Sequence, residues 1–355
     1  MHKKLALFPM TRDMCALARY RSLLQGFELA YLFTTHFVSD KDISQIDGGT
    51  VTELKLTEYN TNDLSVCDVL FVDYDENMKN LSLYIEVIQK AKNMGKEVML
   101  SRKLINKLRK ESLTWPMDTP HKIDSNVDNL YEIRVPVITV LSQGDRTDQL
   151  AIELALRGYF IDKGYSVSQV GTHEASRLMG FPSMPNFLFE SRDAYDKTLK
   201  FNHYIKELTE KEQPDLLILG VPGAIMKYNN KLLNGLGYIP FVVCNAVRSD
   251  LQILSMYHNI YNTSYFNEVE QYGFYRLCAP IRLFNISNVG FIPNLSSEIP
   301  IEKYLDLNSE FVINSVQNDI DYGEYYLFNA LDYESAKQAC SAIEDILSNN
   351  VQNMK

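Results

Sequence analysis

The chain has 355 residues, 46% of them hydrophobic and 23% charged, so it can form two hydrophobic cores and needs no disulfides to fold. Its formal net charge of −10 argues against the basic face through which proteins bind nucleic acids by counterion release. The five scattered cysteines show no zinc spacing, and no apolar run reaches about eighteen residues. We therefore expect a cytoplasmic protein without a membrane span or a structural metal.

The first third of the chain alternates apolar strands with amphipathic helices. The predicted strands are residues 4–9, 27–33, 67–72 and 96–100, and the predicted helices are residues 12–24 and 81–94. Gly95 ends the second helix, as glycine commonly does. This alternation is typical of βαβ units with a parallel sheet, so we expect a Rossmann-like α/β domain over residues 1–115.

This domain carries no dinucleotide signature, because Pro9-Met10-Thr11-Arg12-Asp13 replaces the G-x-G-x-x-G turn after the first strand. Asp73 and Asp75 follow a strand at the edge where open α/β sheets bind ligands. Aspartates in that place more often cap helices, and we predict that role for them. A turn-rich segment after Trp115 marks the domain boundary, and the linker is placed at residues 116–134.

The second domain, residues 135–300, opens with a strand at 135–141 and a polar turn. A helix at 149–163 follows, and Gly164 closes it before the next strand. P-loop proteins present phosphate-binding backbone N–H groups at a helix N-terminus in the same order, so a P-loop-like α/β domain with a mostly parallel sheet is predicted. The turn reads Ser142-Gln143-Gly144-Asp145-Arg146-Thr147-Asp148-Gln149.

The turn lacks the charged groups of a working NTPase. Counting back from the glycine that closes the helix places Gln149 at the lysine position and Asp148 at the second glycine. The Asp148 carboxylate would repel a triphosphate by at least about 1 kcal/mol, and Arg146 is the cation near enough to compensate. Three interpretations stay open: a structural role, binding of another anion or polar small molecule, or residual nucleotide binding.

Two further segments are placed at the same edge of the sheet. Residues 214–226 predict a strand that ends at Gly220 and continues into a Gly-x-Pro-Gly loop, without the acid that engages Mg²⁺ in P-loop proteins. Residues 241–250 predict another strand with polar residues at its carboxyl end. Because the carboxyl ends of parallel strands share an edge, we expect the ligand site there. The candidate ligand-binding residues are Ser142, Gln143, Gly144, Arg146, Thr147, Gln149, Gly220, Pro222, Gly223 and Asn245.

Catalytic residues are less defined, and the candidates are Arg146, Asp148 and His173. His173 and Glu174 follow a strand and could act as an acid/base pair, although a lone histidine is more often simply hydrogen-bonded. No metal site is evident from the sequence. Residues 301–355 are predicted as a C-terminal extension with a final helix.

Three motifs of the chain resemble those of a bacterial family. They are residues 141–149, Gly180-Phe181-Pro182 with Pro185, and residues 214–226. They look like the peptide maturation system proteins of clostridia, which are built from a Rossmann-like N-terminal domain and a dethiobiotin-synthetase-like P-loop domain. The resemblance covers residues 1–300. Members of that family are encoded beside short precursor peptides and radical-SAM enzymes.

The resemblance implies an accessory protein in the maturation of a ribosomally synthesised, post-translationally modified peptide such as a bacteriocin. It implies a precursor peptide or a maturation enzyme such as a radical-SAM protein as the partner. Self-association of the chain is a separate possibility. The alternative is a transferase or ligase that uses the same sheet edge with a nucleotide or another anion. Because Gln149 stands at the lysine position, neither ATP nor Mg²⁺ is carried over from the relatives, and no cofactor is assigned.

Overall fold

A computed structural model describes residues 2–35, 40–78, 80–110, 129–293, 302–317 and 324–353. It divides the chain into two compact units. Unit 1 comprises Met1–Thr119 and His173–Ser183, and unit 2 comprises Pro120–Thr172 and Met184–Lys355. Both units combine helices with a mostly parallel sheet, so the predicted fold class is confirmed. Most of the linker predicted at residues 116–134, including its start, lies outside the described residues.

Unit 1 is built on a five-stranded sheet. Its strands are β1 (Lys3–Phe8), β2 (Phe27–Thr34), β3 (Thr57–Glu58), β4 (Val69–Val72) and β5 (Glu97–Leu100), and its helices are α1 (Arg12–Arg19), α2 (Ser44–Asp47), α3 (Leu81–Asn93) and α4 (Arg102–Lys110). The strand order is β3-β2-β1-β4-β5, and every pair is parallel. All four residues of β4 are buried, which explains why it reads as a continuous apolar run.

Local caps set the ends of the main helices in unit 1. The Thr11 hydroxyl accepts a hydrogen bond from the Met14 amide at the start of α1, and the Asn80 side chain accepts one from Ser82 at the start of α3. Gly95 follows α3 with a φ of 71°, a left-handed conformation that glycine adopts without strain. The helix predicted at residues 12–24 is shorter, because α1 ends at Arg19 and a 3₁₀ turn, Arg21–Leu23, follows it.

Unit 2 is built on a larger sheet. Its strands are β6 (Val137–Ser142), β7 (Val167–Val170), β8 (Leu216–Ala224), β9 (Leu251–His258), β10 (Ile281–Phe291), β11 (Tyr304–Asp306) and β12 (Tyr326–Phe328). Its helices are α5 (Gln149–Asp162), α6 (Ala194–Glu212), α7 (Tyr238–Ala246), α8 (Thr263–Arg276), α9 (Ser309–Gln317) and α10 (Tyr333–Asn353). The order is β7-β8-β6-β9-β10, with β11 and β12 both paired to β10. Among the described strands of this sheet, β11 alone runs antiparallel to its neighbour.

The strand predicted at residues 241–250 is wrong, because this apolar run forms the helix α7. A short continuous apolar run does not distinguish a buried strand from a buried helix by periodicity. Pro240 lies in the first turn of α7, where its missing N–H has no intrahelical partner to lose. The strand that pairs with β6 begins five residues after α7, at Leu251.

The predicted end of β8 at Gly220 is also wrong. The strand continues to Ala224, and its register with β6 shifts, since Val140 faces Gly220 but Ser142 faces Ala224. Gly223 has a φ of 86°, which suits the irregular backbone of such a bulge. The Gly-x-Pro-Gly segment is therefore a bulge within the strand rather than a loop after it.

The C-terminal extension becomes part of the sheet of unit 2 through β11 and β12. Its last helix, α10, contacts α5 and the residue after it through Glu344. The Glu344 carboxylate accepts a hydrogen bond of 2.7 Å from the Tyr159 hydroxyl and lies 3.2 Å from the Lys163 ammonium. Among the described residues, no helix combines the length and the apolar character that crossing a bilayer requires.

Gly220 offers a test of the packing in unit 2. A Cβ at this position would overlap the carboxyl group of Glu153, which is fully buried and accepts a hydrogen bond of 3.1 Å from the Thr172 amide. Because that carboxyl group is buried and can move aside only by breaking its hydrogen bonds with Gln169 and Thr172, we expect Gly220→Ala to lower the free energy of unfolding by about 1–3 kcal/mol. Chemical denaturation of the full chain measures this change.

Gly290→Ala is the matched control. Gly290 lies in β10 of the same sheet, and a Cβ there would approach Leu305 at an ordinary 3.5 Å. Since alanine is preferred over glycine in strand interiors, this variant should be neutral or more stable by up to about 1 kcal/mol. Equal losses in both variants would contradict the packing role of Gly220.

Candidate functional site

The residue at the lysine position of the P-loop-like turn has a structural contact. Gln149 is buried at the start of α5, and its Nε2 donates hydrogen bonds of 2.7 Å to the carbonyl oxygens of Val140 and Val221. Val140 belongs to β6 and Val221 to the bulge of β8, so the Gln149 amide joins the two strands where their ladder is interrupted. A cation for phosphate binding is replaced here by a neutral donor that satisfies buried carbonyl groups.

The rest of the turn is held by side chains of β9 and β10. The Thr147 hydroxyl donates to the Gly144 carbonyl at 3.1 Å, and the Ser255 hydroxyl donates to the Thr147 carbonyl. Asn285 in turn donates to the Ser255 oxygen at 2.7 Å. A Cβ at Gly144 would overlap the phenol of Tyr257, so only glycine fits this close approach. The turn is packed against neighbouring strands instead of forming an open cradle.

The charged side chains of the turn also have partners. The Arg146 guanidinium lies 3.2 Å from the carboxylate of Asp306 and 4.9 Å from the ring centre of Tyr304. Asp148 is buried, and its Oδ2 accepts a hydrogen bond of 3.1 Å from the Asn288 amide. Both catalytic candidates of the turn therefore take part in contacts that fix β10 and β11 beside it.

The structure brings most of the predicted ligand-binding residues together. The turn meets the β8 bulge, where the Ser142 hydroxyl donates to the Gly223 carbonyl at 3.2 Å. Asn245 instead lies on helix α7, where its Nδ2 donates to the carbonyl groups of Phe241 and Arg276 at 2.7 and 3.2 Å. The side chain of Asn245 is thus engaged in helix contacts and does not follow a strand end.

A cavity of about 430 Å³ opens beside the turn, at the carboxyl edge of the sheet of unit 2. Its walls come from segments that follow β6, β8 and β9 and from the end of β10, which is where parallel sheets place ligand sites. We call it the aromatic pocket. Its aromatic lining residues are Tyr228, Tyr257, Tyr261, Tyr265 and Phe291, and Gln143 lies among them.

Gln143 organises the polar centre of the aromatic pocket. Its Oε1 accepts hydrogen bonds from the Tyr257 amide at 3.0 Å and the Tyr261 hydroxyl at 3.2 Å. Its Nε2 donates to the Tyr265 hydroxyl at 2.9 Å. Three aromatic residues from β9, the following loop and α8 are thereby oriented by one carboxamide of the β6–α5 turn.

The aromatic pocket carries little charge. Burial lowers the pKa of His258, which keeps its ring neutral at pH 7, so Glu268 is the charged side chain among the described residues that line the cavity. Burial also raises the pKa of Tyr257 and Tyr261, so both phenols stay protonated. These tyrosines provide ring faces and hydroxyl groups rather than acid/base chemistry.

The aromatic pocket was not predicted from the sequence, although the sequence contains a signal for it. Tyr257, Tyr261 and Tyr265 recur every four residues across the end of β9 and the start of α8. Tyr228 and Phe291 lie far from them in sequence and reach the pocket only because β8, β9 and β10 end at one edge. The order of the strands in the sheet brings the lining residues of the aromatic pocket together, and the local periodicity of the sequence does not predict that order.

His173 and Glu174 belong to unit 1 and do not form an acid/base pair with each other. The Glu174 carboxylate accepts a hydrogen bond of 2.9 Å from the Arg102 amide and lies 3.3 Å from its guanidinium. His173 instead faces Asp73, with 3.3 Å between Nε2 and Oδ1. Asp73 also accepts a hydrogen bond of 2.6 Å from the Thr11 hydroxyl.

The predicted capping role of Asp73 and Asp75 is wrong, since Asn80 caps α3. Asp75 accepts a hydrogen bond of 2.9 Å from the Asn77 amide in the turn before that cap. Burial opposes the charge of Asp73, but the hydrogen bonds from the His173 Nε2 and the Thr11 hydroxyl outweigh it and hold the pKa of Asp73 below its usual range.

Asp73, His173 and Asp13 also form a cluster that resembles a metal site. Each offers one ligand atom, and these atoms lie within 4.8 Å of one another. The nearby carboxylates favour a second proton on His173, but the Ala175 amide donates to its Nδ1 at 3.1 Å and opposes it. We therefore assign the ring proton to Nε2, the atom that faces Asp73. The ring then presents a donor rather than a metal ligand, and the cluster is a hydrogen-bonded network.

A crystal structure of a DUF1611 family protein from Anabaena variabilis ATCC 29413 is similar to this chain. The similarity covers 81% of this chain and 87% of that chain, with a TM-score of 0.55 and 12% sequence identity. At this identity the similarity concerns the fold alone, and it supports the α/β fold of this chain.

A pseudomurein peptide ligase type C from Methanothermus fervidus aligns with 71% of this chain and 38% of that chain, at 12% identity. Its TM-score of 0.28 is too low to support an argument about fold or function. No protein-family model matches the chain, and no curated protein matches it.

The two hydrogen bonds of Gln149 generate a prediction about stability. Gln149→Leu keeps a side chain of similar size but leaves the carbonyls of Val140 and Val221 without this donor. Since each unsatisfied buried polar group costs about 1–3 kcal/mol, we expect a loss of about 2–4 kcal/mol in the free energy of unfolding. Urea denaturation monitored by circular dichroism measures it.

The matched control is Gln271→Leu, the same chemical change at an exposed position of α8. Surface substitutions of this kind usually change stability by less than about 0.5 kcal/mol. A Gln149→Leu protein as stable as Gln271→Leu would show that the two carbonyls do not depend on Gln149.

Proposed function

We propose that this chain is an accessory protein in the maturation of a ribosomally synthesised, post-translationally modified peptide, and that it binds a segment of the precursor peptide in the aromatic pocket. The observation that carries the proposal is the pocket itself. It lies at the carboxyl edge of the sheet, beside a turn whose lysine position holds a structural glutamine. The motif resemblance of the sequence to the clostridial family supports the same function.

The chemistry of the aromatic pocket suits a peptide better than a phosphate. Its volume of about 430 Å³ falls within the range of ligand sites and exceeds that of any single side chain. Tyrosine rings offer large contact areas at a low cost in conformational entropy, and their hydroxyl groups bind peptide amides. Glu268 at the rim would repel a phosphate group.

The competing hypothesis is a transferase or ligase that binds a nucleotide at the β6–α5 turn. Such a ligand would have to take Arg146 from Asp306 and Tyr304, and it would meet the carboxylate of Asp148. Gln149 could assist the ligand only by giving up its two carbonyl partners. These costs are the reason we favour the peptide-binding function, which would be exercised in the cytoplasm.

The test uses the short precursor peptide that this proposal expects to be encoded beside the gene of this chain, synthesised and labelled for fluorescence anisotropy. We expect saturable binding that Tyr228→Ala weakens roughly tenfold, as removal of an aromatic anchor from an interface commonly does. The ring of Tyr228 meets that of Phe291 at 4.9 Å between ring centres. Because Tyr228 is 40% exposed, its replacement by alanine should leave the fold intact.

Tyr275→Ala is the control for that variant, because Tyr275 is 82% exposed on α8 and does not line the pocket. It should bind the peptide like the wild type. A thermal-shift screen with ATP, GTP and coenzyme A in Mg²⁺ runs alongside. The absence of a neighbouring peptide gene, the absence of binding, or nucleotide binding abolished by Arg146→Ala would each overturn the proposal.

A further inference from the structure

The electrostatics of the aromatic pocket point to one class of side chain. Glu268 is exposed on α8 and makes no ion pair within the part of the chain that the structure describes. His258 is neutral because burial lowers its pKa, and its Nε2 is hydrogen-bonded to the Ser315 hydroxyl at 2.8 Å. The described lining thus combines one negative charge with neutral groups, and the whole chain carries −10. A positively charged ligand is attracted at long and short range.

The aromatic rings add to this attraction. Tyr261 and Tyr265 stack at 4.8 Å between ring centres, and Tyr257 stacks on Phe291 at 4.7 Å. Tyr228 meets Phe291 edge to face at 4.9 Å. The faces of such rings carry negative electrostatic potential, and cations within about 6 Å of a ring centre are stabilised by it. Neutral phenol hydroxyls can also accept hydrogen bonds from an ammonium or guanidinium group.

We propose that the aromatic pocket binds a lysine or arginine side chain of the peptide, with Glu268 beside the charge and the tyrosine rings around the aliphatic stem. This inference rests on the proposed function, since it names the side chain by which the same pocket recognises its peptide. Lysine and arginine suit the mixed lining because their stems are apolar while their ends are charged. Acidic side chains and phosphate groups are negatively charged, so Glu268 would repel both.

The experiment compares two forms of the neighbouring precursor peptide, one native and one with every lysine and arginine replaced by norleucine. Norleucine keeps the four-carbon chain of lysine and removes the charge. We expect the native peptide to bind about tenfold more tightly at low salt, and the ratio to fall to about threefold in Glu268→Gln. Raising the salt concentration should reduce the ratio further.

Glu207→Gln is the matched control, because it makes the same change of charge at an exposed position of α6 that does not line the pocket. It should keep the full tenfold ratio. Equal binding of both peptides by the wild type, with binding still lost in Tyr228→Ala, overturns the inference and leaves the proposed function standing. A charge preference that persists unchanged in both Glu268→Gln and Tyr228→Ala places the cation outside the pocket and also overturns it. Binding of neither peptide overturns the proposed function.

Discussion

The two hydrogen bonds from Gln149 to the carbonyls of Val140 and Val221 are the contact on which the organisation of unit 2 depends. The bulge in β8 breaks the regular ladder with β6, and buried carbonyl groups need a donor there. A lysine at this position of a P-loop points its charge towards phosphate, whereas the glutamine points its amide into the sheet. At the position where a P-loop protein has its lysine, this chain therefore has a neutral donor that joins two central strands.

The rest of the turn is also held by hydrogen bonds, which come from residues of β9 and β10. Ser255, Asn285 and Asn288 are buried polar residues of these strands, and each contacts the turn or a residue that holds it. A fully hydrogen-bonded buried network is rigid, because breaking one bond leaves an unsatisfied group in a medium of low dielectric. The rigid turn in turn fixes Gln143, whose carboxamide orients the tyrosines next to it. The aromatic pocket thus lies beside a turn whose own polar groups are engaged within the fold.

The sequence was most informative where local physics decides the structure. The buried strands β1 and β4, the glycine after α3 and the strand–turn–helix from β6 to α5 were predicted closely, since burial and capping act over a few residues. Residues 241–250 were predicted as a strand because an apolar run reads alike in a buried helix. The aromatic pocket could not be predicted, since Tyr228 and Phe291 meet only through strand order. The contact between His173 and Asp73 could not be predicted for the same reason, because the two residues lie 100 positions apart in the sequence.

Both sheets obey one rule, which is that parallel strands deliver the residues that follow them to a common edge. In unit 1 that edge carries Thr11 after β1 and Asp73 after β4, and both side chains are used in hydrogen bonds, Asp73 with Thr11 and with His173. In unit 2 it carries neutral rings around a cavity, with one carboxylate at the rim. Position at the edge alone therefore does not define a ligand site. The aromatic pocket differs because its aromatic rings and the Glu268 carboxylate border an open cavity. A ligand in that cavity could therefore contact them.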